Sequence, residues 1–91
     1  MENDHLSRIS SELQNAFLHL KTKDEVFAFL RDLLTQDEIV EFSLRLSIAQ
    51  KLFQGHNYKQ IEKETWASST TIARVAKFLK WEMGGYRKVL G

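Results

Sequence analysis

The chain contains no proline, and its four glycines stand at Gly55, Gly84, Gly85 and Gly91. The first 54 residues therefore lack both of the residue types that most readily stop a helix. A backbone so free of breakers is predicted to be nearly all helix. Ninety-one residues suit a single domain and leave little material for a second core. With no cysteine, neither a disulfide framework nor a cysteine-based zinc site can form, and the composition fits a reducing, cytoplasmic setting. No apolar run nears the roughly 18 residues a membrane span needs. The opening MENDHLSR is unlike a secretory signal.

Periodicity divides the first 54 residues into three helices. Leu6, Ile9, Leu13, Ala16, Phe17 and Leu20 make one apolar stripe, which predicts a helix from about Leu6 to Leu20. The segment TKDE, from Thr22 to Glu25, has the form of a capping box that opens a second helix over Val26, Phe27, Phe29, Leu30, Leu33 and Leu34. TQDE, from Thr35 to Glu38, repeats that form and opens a third helix, which Gly55 ends. This central helix carries two stripes: Ile39, Phe42, Leu46, Ala49 and Phe53, then Val40, Leu44, Ile48 and Leu52. Two stripes predict burial on two sides. So short a chain has little protein to cover both, so residues 6–54 are expected to form the interface of a homodimer. A monomeric bundle folded around the central helix is the competing arrangement.

Residues 57–81 read as a helix-turn-helix. Asn57 and Gln60 hold capping-box positions at the start of its first helix, the turn runs over Thr65, Trp66, Ala67 and Ser68, and Ser68 caps the second helix. On a helical wheel Ile72, Val75, Ala76 and Leu79 fall together, facing Ile61 and the central helix. Thr70, Ala73, Arg74 and Lys77 fall on the opposite face. Ser69, Thr70 and Thr71 occupy the first turn, the part of a recognition helix that reaches base edges. Their hydroxyls donate or accept, and threonine and alanine methyls suit a thymine methyl. Lys59 is placed to meet a phosphate, as are the backbone N–H groups at each helix start. With no Asn or Gln on the reading helix, few bidentate base contacts are expected, and shape or water-mediated readout takes a larger share. Trp81 is expected on the outward face near the end of this helix. Gly84-Gly85 is expected to close it, leaving residues 84–91 as a short basic tail.

Charge is divided along the chain. Residues 1–42 hold four basic and nine acidic side chains, a balance of −5; residues 43–91 hold nine basic and three acidic, +6. A basic half attached to an acidic half is the footprint of a nucleic-acid-binding head on a body with another task. The partner implied is double-stranded DNA. A helical hairpin that merely packs is the plain alternative for residues 57–79.

From about Leu33 to Leu79 the sequence resembles the Trp repressor family. LLTQDEIVEFSLRLSIAQKLFQG matches the family's Leu-Thr-x-Asp-Glu opening, its central helix with a mid-course arginine, and its terminal glycine. SSTTIARV matches the recognition helix, and Gly84-Gly85-Tyr86 looks like a repressor-like bacterial subgroup whose effector is not established. The resemblance implies an all-α, intertwined homodimer presenting two helix-turn-helix heads to successive major grooves. It also implies a tryptophan site between the central and recognition helices, to which Thr35, Arg45 and Arg74 correspond. Two positions depart from the pattern. A small glycine of the family is Val75 here, and a serine that receives the ligand's amino group is Phe78. Both changes predict exclusion of tryptophan and a pocket filled by the chain itself, with no cofactor. Trp66 departs too, since many such turns use glycine at a positive φ.

An enzyme is the least favoured class. His5, His19 and His56 lack metal-ligand spacing, and no phosphate loop or nucleophile motif is present. The chain therefore reads as a DNA-binding transcriptional repressor. Two alternatives stand beside it: a helical protein-interaction adaptor using the same hairpin, and a repressor answering to a small molecule other than tryptophan.

Overall fold

Glycines and side-chain caps divide the chain into seven helices among the residues that the computed structural model describes, 2–80 and 83–91. They are α1 (Glu2–Ile9), α2 (Ser11–Leu18), α3 (Lys23–Leu33), α4 (Gln36–Phe53), α5 (Tyr58–Thr65), α6 (Ser69–Leu79) and α7 (Gly85–Leu90). No strand occurs among the described residues. The chain falls into two units, residues 1–36 and 37–91.

In the first unit the single helix expected over Leu6–Leu20 is two. It starts earlier, at Glu2, and breaks at Ser10, whose φ of −93° and ψ of 10° leave the helical region. The Ser10 hydroxyl donates to the Leu6 carbonyl at 2.6 Å, a back-bond of the kind that bends helices. The backbone bonds Ser10 N–H to Leu6 O and Gln14 N–H to Ser10 O persist, so the break is a bend. Thr22 caps α3 as expected, its hydroxyl accepting the Glu25 N–H at 3.1 Å. The Glu25 carboxylate reaches one residue further back than a capping box requires, to the Lys21 N–H at 2.8 Å. Phe17 meets Phe29 edge-on at 5.4 Å, joining α2 to α3. No residue of these three helices is buried.

The second unit holds the core. Its long helix α4 carries Asp37 and Glu38 in the first turn, where the helix dipole favours them. Gly55 ends it at φ 92°. The His56 N–H bonds the Lys51 carbonyl and the Gly55 N–H the Leu52 carbonyl, the two bonds of a Schellman motif. Ile48 and Ala49 of α4, Ile61 of α5, and Ile72 and Val75 of α6 are buried together. Leu44, Leu52, Ala67, Tyr86 and Leu90 pack around them. Members of both apolar stripes of α4 stay open within the chain: Val40 is 63% exposed, Phe42 45% and Phe53 49%.

The expected basic tail is a helix. Gly84 adopts φ 74° and turns the chain into α7, whose Tyr86 and Leu90 lie one turn apart and pack on the core. Arg87 donates to the Leu79 carbonyl at 3.1 Å, satisfying a group at the end of α6. α6 itself ends at Leu79, with Lys80 as its cap. The position expected for Trp81 lies outside the described residues.

Candidate nucleic-acid interface

α5, a three-residue turn and α6 form a helix-turn-helix, and local chemistry fixes each of its joints. Asn57 and Gln60 make a full capping box: Asn57 Oδ1 accepts the Gln60 N–H at 2.9 Å, and Gln60 Oε1 accepts the Asn57 N–H at 3.0 Å. Lys51 donates to Glu64 at 2.9 Å, tying α4 to α5. The His56 Nδ1 sits 3.7 Å from the same carboxylate, buried and without a hydrogen bond. Lys51 holds the Glu64 carboxyl below its usual range, chiefly through that hydrogen bond, with partial burial opposing it.

The turn rests on Thr65 and Trp66. The Thr65 hydroxyl donates to the Ile61 carbonyl at 2.6 Å and accepts the Ala67 N–H at 3.2 Å. Trp66 takes φ 63° and ψ 9°, the left-handed conformation, and its N–H bonds the Glu62 carbonyl. That conformation costs a residue bearing a Cβ about 1–2 kcal/mol. The positive φ anticipated for a glycine is present, and the tryptophan bears it. Its indole is 92% exposed, so no neighbouring helix covers it.

α6 then presents the expected face. Ser68 caps it, accepting the Thr71 N–H at 3.2 Å, and the two hydroxyls lie 3.0 Å apart. Ile72 and Val75 are buried, whereas Ser69, Thr70, Ala73, Arg74 and Lys77 are exposed, as is Lys59 in the first turn of α5. Ser68 and Thr71 thus spend their hydroxyls largely on the cap, and Thr71 is half-buried. The solvent-facing tip is Ser69, Thr70 and Ala73. Arg74 makes no ion pair among the described residues.

Behind that face lies a cavity of about 210 Å³, lined in part by Arg45 of α4, Arg74, Val75 and Phe78 of α6, and Tyr86 of α7. Four of the five residues matched to an effector site therefore come together. The fifth, Thr35, precedes α4 in the other unit. Val75 and Phe78 are both among the residues that line the cavity. Arg45 is engaged, paired with Glu41 at 2.7 Å and placed over the Phe42 ring at 5.5 Å. Glu41 went unremarked in the sequence, and Tyr86 was noted only within the Gly84-Gly85-Tyr86 match, not as part of a pocket. The first was legible from its four-residue spacing to Arg45; the place of the second was not, because it depends on α7.

A capped helix pair joined by a tight turn, with one helix turning a hydroxyl and basic face to solvent, is the form of the helix-turn-helix DNA-binding proteins. Within that class the chain belongs to the Trp repressor family, whose model matches residues 10–91. It is 39% identical over 79 residues to YerC, an uncharacterised protein of Bacillus subtilis, covering 87% of this chain and 76% of the relative. Among solved structures it is similar to a Staphylococcus aureus protein assigned provisionally as a Trp repressor. That match has a TM-score of 0.88 and 37% identity, covering 99% of this chain and 91% of the other. A TrpR-like protein of Eubacterium eligens matches with a TM-score of 0.86 and 34% identity, covering 96% and 90%. The family is one of DNA-binding regulators, and the all-helical chain with its open apolar helix faces is consistent with the family's dimeric plan. No described helix is long and apolar enough to cross a membrane.

Proposed function

We propose that this chain is a transcriptional repressor that binds a pseudo-palindromic operator as a homodimer, with α6 as the reading helix. The observation that carries the proposal is the presentation of α6. Ile72 and Val75 anchor one side in the core, and Ser69, Thr70, Ala73, Arg74 and Lys77 occupy the other. In this reading Thr70 and Ala73 meet base edges, Arg74 and Lys77 the groove and its phosphates, and Lys59 a phosphate beside α5. Ser68 and Thr71 hold the tip in shape and offer their remaining hydrogen-bonding capacity to the backbone or to bridging water. The exposed apolar side of α4 supports the second copy, which would set two heads about one helical turn, 34–36 Å, apart.

Selection of genomic fragments by the purified protein at near-physiological salt tests the proposal. Enrichment of a pseudo-palindrome with half-sites one turn apart is the expected result. Recovery of a background library rejects it. Affinity should fall steeply with salt as phosphate contacts release counterions, whereas an adaptor binding through aromatic side chains would hardly respond.

No tryptophan co-repressor enters this reading, because Val75 and Phe78 stand at the two positions the family uses for the indole and the amino group. Tryptophan is expected to leave operator affinity unchanged, and calorimetric heat on its addition would overturn that. The remaining cavity favours one second reading, an effector other than tryptophan held beside Arg45 and Arg74. A change in operator affinity when a metabolite extract is added would select it.

A further inference from the structure

Everything the fold takes from residue 66 is backbone. The left-handed turn and the bond from its N–H to the Glu62 carbonyl are both things a glycine supplies, and with less strain. The indole that makes the turn unfavourable is 92% exposed and stabilises nothing in the chain. Non-glycine residues held at positive φ gather where a site uses them. A side chain with no use inside the fold is then to be explained by something outside it.

We infer that Trp66 is a DNA-backbone clamp: its indole lies against the sugar–phosphate edge of the major groove, with the ring nitrogen donating to a phosphate. The inference rests on the DNA-binding reading above and adds to it a residue that the helix-turn-helix alone does not require. Position supports it. In this motif the first helix crosses the backbone and the second enters the groove, so the residue joining them meets the groove's rim. Trp66 is that residue, three positions after the exposed Lys63 and two before the Ser68 cap. Chemistry supports it as well. A flat, apolar ring with a single N–H donor suits a deoxyribose face beside an acceptor oxygen, and no acidic group stands between Trp66 and α6 to repel a phosphate.

An uncharged clamp differs from a lysine in how salt affects it. Removing a phosphate-bound lysine lowers the slope of log affinity against log salt by about one. Removing an indole releases no counterion, so affinity should fall by the same factor at every salt concentration. The fall should also be equal on operator and scrambled DNA, because sugar and phosphate contacts carry no sequence information.

The test uses the full-length protein, W66G and W66N, and K59A as the charged control. Binding is measured by anisotropy on labelled duplexes of the selected operator and of a scrambled sequence of equal length, over a salt series. Glycine and asparagine both accept positive φ, so both variants should keep or raise the wild-type Tm. Both should lose about tenfold in affinity, the scale of one good aromatic contact, on both duplexes and with the slope unchanged. K59A should lower the slope. Wild-type affinity in both Trp66 variants overturns the clamp while leaving the DNA-binding reading intact. So does a Tm that drops with the affinity, which would make the indole structural, or a loss confined to self-association, which would place it against a second copy. Failure of the wild-type protein to bind either duplex rejects the DNA-binding reading itself, and the clamp with it.

Discussion

Glu64 receives Lys51 from α4 and faces His56 from the turn that follows, so one carboxylate joins the long helix to the helix-turn-helix. Its folded-state pKa lies below the ordinary value of 4.5, first because of the Lys51 hydrogen bond. A carboxyl lowered on folding contributes stability that is fully present above its unfolded value and is lost as pH falls through the folded one. The effect is modest, because the pair is partly exposed to solvent. E64Q is therefore expected to lower Tm near neutral pH, with the difference from wild type shrinking as pH falls below 4.5 and through the lowered folded-state value, where the wild-type carboxyl protonates. Thermal melts across that range decide it, and an equal deficit at both ends removes the ion pair as the cause. Residue chemistry was only partly legible in the sequence. The exposed face of α6 followed from its spacing, but nothing in the letters said that Thr71 would turn inward to Ser68. Nor could they say that Trp66 would hold a glycine's conformation with its ring in solvent, because φ is set by the turn as a whole.

Helix starts were the most legible feature of the elements, because a cap is a local bargain between one side chain and one orphan N–H. Thr22, Asn57 and Ser68 each accept from the residue three positions on, as their spacing predicts. The bend at Ser10 and the helix α7 were not legible. A serine among helix formers carries no mark of the back-bond it will make, and six residues are too few to show a period. N57A and S68A should each cost about 1 kcal/mol in urea unfolding. Their effects on DNA should differ. Loss of the Ser68 cap frays the tip that reads the groove, so S68A is expected to weaken operator binding several-fold and to erode its preference over scrambled DNA, while N57A, which frays the turn that carries Lys59, costs less and equally on both. Parallel losses of affinity would mean that overall stability, and not the α6 tip, limits binding.

At the scale of the whole molecule, the apolar surface exceeds what one chain covers. Among the described residues five are buried, all in the second unit, while Leu6, Ile9, Leu13, Phe17, Leu18 and Phe27 of the first stand exposed on helices with no buried residue. The two stripes of α4 foretold an excess of apolar surface, but the core takes from both: Ala49 of one and Ile48 of the other are buried, while Leu46, 41% exposed, and Val40, 63%, stay out. Which members of each stripe would be left for a partner was not readable, because burial within a chain and between chains follows the same period. If a second copy covers these faces, folding and association are one process, and stability must rise with concentration. The melting temperature of the wild-type protein is accordingly expected to climb over a hundredfold range of concentration. L46D places a charge where an apolar contact is proposed, and burying it unpaired is strongly unfavourable. It should lower Tm and reduce the sedimenting mass to that of one chain. Because two linked heads bind with an affinity neither has alone, the same change should abolish operator binding without touching α6. A Tm independent of concentration, with a single-chain mass for the wild-type protein, would leave the open apolar surface without its partner and the two-headed reading without its frame.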